Sequence, residues 1–97
     1  MIFNQLKQFQ ELRRKAKELK ENLEKETVTS ESLGGLIKIS MSGSQEIKEV
    51  FISETLLSPE NKEKIEKGLL DAFQKALKDV QRIMAKKIQS GGINLPI

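Results

Sequence analysis

The chain has 97 residues, 17 of them Lys or Arg and 14 Asp or Glu, which gives a single domain over 1–97 and a net charge of +3. It has no Cys and no His, which excludes a disulfide frame, a thiolate nucleophile, a zinc–thiolate site and the commonest general base near neutral pH. The expectation is a non-catalytic protein with no cofactor, no metal and no small-molecule substrate.

No apolar run exceeds three residues, so nothing is expected to span a membrane. Met1-Ile2-Phe3-Asn4-Gln5 lacks the charged and apolar regions of a signal peptide, and a cytoplasmic location is expected. Ile, Leu, Val and Phe number 29, enough to fold, but a chain this short buries only about 60–65% of its unfolded surface. Such a core gains from a partner subunit.

The first element is a helix over about 4–25. Leu6, Phe9, Leu12, Ala16, Leu19 and Leu23 recur at steps of three and four, and Ile2, Phe9, Ala16 and Leu23 stand seven apart. No Gly or Pro interrupts them. Glu11–Lys15 and Glu21–Lys25 have the favourable acid-first order.

The period changes within 27–53, where three strands are expected. Thr27-Val28-Thr29 is β-branched, and Gly34-Gly35 ends that run as a turn or bulge. Ile37, Ile39 and Met41 then alternate with polar residues, the pattern of a strand with one buried face. Ser42-Gly43-Ser44 reads as a turn, and 46–52 as the third strand. Ile47 and Val50 have opposite parity in that strand, so either a bulge intervenes or Ile47 lies on the other face. Short turns imply an antiparallel meander.

Ser58-Pro59-Glu60 has the form of a helix start, with Ser at the cap and Pro at the first position. Ile65, Leu69, Phe73, Ala76, Val80 and Ile83 form the stripe of a helix over about 59–89, widened by Leu70, Leu77 and Met84. Gly68 costs up to about 1 kcal/mol within it relative to Ala, which close packing would explain. Residues 90–97 are a short tail.

Element lengths carry a mechanical implication. The two helices span roughly 33 and 46 Å, whereas a seven-residue strand spans about 23 Å. A three-stranded sheet cannot cover both apolar stripes, and its edges want pairing. The fold class expected is α+β, in the order α-β-β-β-α, as a homodimer with helical arms. Phe9 and Phe73 read as core residues of that assembly.

Charge is unevenly placed. Residues 1–26 carry a net +2, residues 27–58 a net −2 and residues 59–97 a net +3. Arg13, Arg14, Lys15, Lys17 and Lys20 are interrupted only by Glu18, and no acid follows Asp79 beside Arg82, Lys86 and Lys87. Basic helices flanking an acidic sheet suit a phosphate-bearing partner, although an ordinary solvated helix face has the same residue types. No zinc spacing or aromatic recognition motif is present, so base readout is not indicated. Gly34-Gly35 has no Gly-Lys-Ser/Thr after it and is a turn rather than a phosphate cradle.

The order Val28-Thr29-x-x-Ser32-x-Gly34-Gly35-Leu36-Ile37-Lys38-Ile39, Ser42-Gly43, Glu49-Val50-x-Ile52, Leu56-Leu57-Ser58, Leu69-x-x-Ala72-Phe73-x-x-Ala76 resembles the YbaB/EbfC family of bacterial nucleoid-associated proteins over nearly the whole chain. The resemblance implies an α/β dimer with a shared sheet core and protruding helices that grip double-stranded DNA. It further implies limited sequence preference, compaction of DNA in the nucleoid, and broad effects on gene expression. The DNA-binding role carries over to Arg13, Arg14, Lys17 and Lys20 on the first helix, and to Arg82, Lys86 and Lys87 on the last. The Gly/Met/Gln-rich ends of the family are reduced here to Ile2-Phe3 and Gly91–Ile97. The alternative is a protein-interaction module that docks a partner on its helical arms, through residues such as Leu12 or Met84, and does not touch DNA.

Overall fold

The computed structural model describes residues 2–92, with side chains described over 5–90; the predicted tail beyond Gly92 lies outside the described residues. A helix α1 (Ile2–Glu24) leads into strands β1 (Thr27–Ser32), β2 (Ile37–Ser42) and β3 (Ile47–Ile52), and a second helix α2 (Lys62–Lys87) follows. The sheet is antiparallel in the order β1-β2-β3, the α+β meander that the change of period implies.

The alternation in β2 does what it predicts: Ile37, Ile39 and Met41 are all buried. Ser40 pairs with Glu49 but Met41 with Ile47, so Lys48 is an extra residue in β3. This bulge resolves the parity conflict and returns Ile47, Val50 and Ile52 to the face that carries the core. Between β1 and β2, Leu33, Gly34 and Gly35 turn through positive φ of 53, 65 and 91°. Two glycines tolerate that region freely, and Leu33 is held there by packing on the core.

α2 lies over β1 and β2 on a row of small residues. Gly68, Ala72, Ala76 and Val80, four apart, are its buried positions. Opposite them β1 presents Ser30 and Ser32, both buried, and each hydroxyl donates to an α2 carbonyl: Ser30 Oγ to Ala72 O, and Ser32 Oγ to Gly68 O at 2.7 Å. The spacings match, because two strand residues advance about 6.6 Å and four helix residues about 6 Å. A buried hydroxyl without a partner would cost about 1–3 kcal/mol, so these serines require the helix backbone to be close. Gly68 permits it: a Cβ there would sit 2.7 Å from Ile37 Cδ1 and 3.2 Å from Ser32 Oγ.

The start of α2 departs from expectation. Ser58 makes no capping hydrogen bond; Pro59–Asn61 form a 3-10 turn first, and the α-helix begins at Lys62. Ser53 does the capping instead, for the short turn Glu54–Leu56, by accepting from Thr55 N at 3.3 Å. Asn61 Nδ2 ties the two turns together by donating to Leu56 O at 3.1 Å.

α1 makes no extended contact with the sheet or with α2. Leu23 is its one buried residue among those with described side chains. Phe9, expected in a core, is 59% exposed; a helical period shows that a stripe exists but not that the sheet reaches far enough to cover it. The root of the helix is fastened at the β2–β3 turn, where Gly43 N–H donates to Glu26 O at 2.9 Å. A Cβ on Gly43 would meet the backbone oxygen of Leu23 at 2.5 Å, and backbone yields poorly. Gly43→Ala is therefore expected to destabilise by about 1–3 kcal/mol, a fall in Tm of several degrees in a calorimetric scan, with the loss centred on the α1 junction in amide exchange.

Candidate nucleic-acid interface

The molecule extends over 66 × 22 × 20 Å with a radius of gyration of 18.7 Å, against about 12.5 Å for a compact chain of this length. Its surface of 7590 Å² compares with about 5,600 Å² for a compact monomer of this mass. Much of the difference arises from α1, a rod of about 35 Å that leaves the sheet at the Gly43 turn.

The basic residues of α1 lie along this rod: Lys7, Arg13, Arg14, Lys17 and Lys20 are exposed and Lys15 is half-buried. Arg13, Lys17 and Lys20 fall within about 60° of helix surface, a face that also holds Leu6 nearer the free end and is bordered by Phe9 and Ala16. Arg14 lies about 100° further round, between Glu11 and Glu18, with each carboxylate 3.9 Å from its guanidinium. At two-thirds exposure these bridges are weak, but they give Arg14 neighbours that repel an anion.

On α2, Arg82 and Lys86 are exposed, with Arg82 paired to Asp79 at 3.6 Å. Lys87 differs: it is only 31% exposed and reaches Glu26 at 3.3 Å. That bridge joins the end of α2 to the root of α1. The structure thus brings Arg82, Lys86 and Lys87 close to where α1 emerges, while Arg13 stands about 16 Å up the rod. The seven residues form two groups, not one continuous patch.

Four further cations were concealed when charge is counted by segment. Lys64, Lys67, Lys75 and Lys78 lie on α2 at steps that continue through Arg82 to Lys86: three, then eight, three, four and four residues. The signal that finds them is angular: all six fall on one flank of the helix. Lys75 and Lys78 line a shallow cleft with Ser30, Glu31, Asp79 and Arg82, which places this flank beside the β1 edge of the sheet.

The opposite flank of α2 is apolar. Leu70 is 58% exposed, and Phe73, Leu77 and Met84 are half-buried. Because α2 covers β1 and β2, the core-facing side of β3 is also left open, with Ile47 and Val50 about half exposed. Among the described residues no group of three or more acidic, His or Cys side chains could hold a metal ion, and no helix is long and apolar enough to cross a membrane.

Comparison with known proteins agrees with this architecture. A nucleoid-associated protein of Beijerinckia indica is 36% identical over 93 residues, covering 94% of this chain and 92% of that one. A nucleoid-associated protein of Persephonella marina is 38% identical over 80 residues, covering 79% and 73%. The crystal structure of an uncharacterized protein from Helicobacter pylori superposes with a TM-score of 0.69 at 25% identity, covering 88% of this chain and 98% of that one. The model of the YbaB/EbfC DNA-binding family matches residues 1–92, and the chain belongs to that family.

Proposed function

We propose that this chain is a dimeric nucleoid-associated protein that grips duplex DNA by its backbone phosphates, with limited sequence preference and without catalysis. In this reading residues 1–97 act as one unit in the cytoplasm, compacting DNA and thereby affecting gene expression. The observation that carries it is the free-standing α1 rod with Arg13, Lys17 and Lys20 on one face and no acid within 4.0 Å of them among the described residues. Arg82, Lys86 and Lys87 contribute from the end of α2, Lys87 chiefly by fixing the angle between the helices through Glu26. Phosphate contacts position a protein without reading sequence, and no side chain here is placed as a base reader.

The test is duplex binding by anisotropy across 50 to 300 mM salt (about the range in which counterion release is measured) with two unrelated sequences. Six to eight neutralised phosphates per dimer give a log–log slope of about −5 to −7, equal for both sequences. Absent binding at the lowest salt overturns the reading. It would favour the alternative, a docking module for a partner protein, which the exposed Leu6, Phe9 and Leu12 stripe supports.

A further inference from the structure

Three flanks divide the surface of α2. The buried row of Gly68, Ala72, Ala76 and Val80 faces β1 and β2. About 100° to one side of that row run Lys64, Lys67, Lys75, Lys78, Arg82 and Lys86. A similar angle to the other side carries Leu70, Phe73, Leu77 and Met84. The basic flank lies along β1: Lys75 Nζ donates to Glu31 O at 3.4 Å, and β1 is the edge strand opposite β3. The apolar flank therefore lies toward β3, the strand left open on its inner face.

We infer that the stretch of the β1-side flank of α2 carrying Lys64, Lys67, Lys75 and Lys78 is a second phosphate-binding track for duplex DNA, separate from the arm grip to which Arg82 and Lys86 contribute, so that a dimer joined through β3 holds two duplexes at once. This rests on the dimeric DNA-binding reading above. From Lys64 to Lys78 the track is about 21 Å long, a little over half of one turn of B-DNA at about 34–36 Å. Asp71 interrupts it at 3.0 Å from Lys75, and Asp79 follows its end at 3.6 Å from Arg82. Lys64, Lys67, Lys78 and Lys86 have no carboxylate within 4.0 Å among the described residues, so the flank keeps a surplus of positive charge along its length. Of the other two acids of α2, Glu63 borders the track one turn before Lys67, and Glu66 turns away from it to Lys62 at 3.8 Å. The β3 surface and the track are on opposite sides of α2, so covering the first leaves the second open. Two-fold symmetry then gives the dimer two such tracks.

The experiment uses the full chain and two duplexes of unrelated sequence carrying a donor and an acceptor dye. The wild-type protein brings the dyes together at substoichiometric protein. The variant Lys64→Gln/Lys67→Gln/Lys75→Gln/Lys78→Gln keeps helix propensity, dimer mass and single-duplex binding through the arms, but loses energy transfer. A duplex held on the track also contributes about one unit of salt slope per lysine, which the variant lacks. Should four changes unfold the helix, Lys64→Gln/Lys67→Gln alone halves the signal. Energy transfer at the wild-type level in either folded variant overturns the inference, as does wild-type protein that binds a duplex yet never joins two. Wild-type protein that binds no duplex overturns the underlying reading along with it, so the two failures are distinguishable.

Discussion

Replacing Arg13, Lys17 and Lys20 together by Ala lowers duplex affinity by about four orders of magnitude at 0.15 M salt while leaving the fold intact. By counterion release each phosphate contact is worth about fivefold at that ionic strength, and the three contacts, present twice in a dimer, compound. The effect fades as salt rises, because the same contacts set the slope. Stability is spared for a local reason: the three side chains are exposed on a free rod, and Ala is a better helix former than Arg or Lys. Arg14→Ala has the smaller effect, since Arg14 already faces Glu11 and Glu18. That ranking separates a phosphate grip from general attraction to net charge, which would make the four residues equivalent. It also tests the docking alternative, in which the basic substitutions are silent and Phe9→Ser or Leu12→Ser abolishes partner binding. Anisotropy on each variant, beside a thermal melt, decides between them.

The sequence carried the architecture because its periods are local. Ile37, Ile39 and Met41 alternate against a sheet that one helix covers, and the stripe of α2 faces that sheet, so pattern and burial coincide. The bulge at Lys48 was legible as a conflict, because Ile47 and Val50 cannot share a face without it. What stayed hidden depends on contacts between distant segments. Ser30 and Ser32 carry no apolar signal along the chain, yet they are buried because Gly68 and Ala72, 36 and 42 residues on, bring helix carbonyls to them. Phe9 reads as core by periodicity, and nothing along the chain says that its own sheet ends before it. The cations of α2 are plain as residues, but totals over a segment erase the angle at which each one stands.

The open β3 face supports the second large effect. Val50→Asp is expected to convert the dimer to a monomer of 11.0 kDa in sedimentation equilibrium at micromolar concentration. Val50 pairs with Ile39 and so points to the core side of the sheet, yet it is half exposed, because α2 stops short of β3. Ile47, Val50 and the Leu70 flank of α2 leave an apolar surface in an elongated chain. A two-fold axis brings each substitution in twice. At about 1–3 kcal/mol per unpartnered polar group, the dissociation constant rises by two to four orders of magnitude. Phe51→Asp is the control: it lies next in the same strand, is 49% exposed against 50% for Val50, and faces the other side of the sheet beside Lys38. It carries the same cost in strand propensity, so a dimer that survives Phe51→Asp but not Val50→Asp is joined through the inner face. The monomer retains one arm, so its duplex salt slope falls to about half the dimer's. A Val50→Asp protein that sediments as the wild type does, with its slope unchanged, would remove β3 from the interface and the two-armed grip with it.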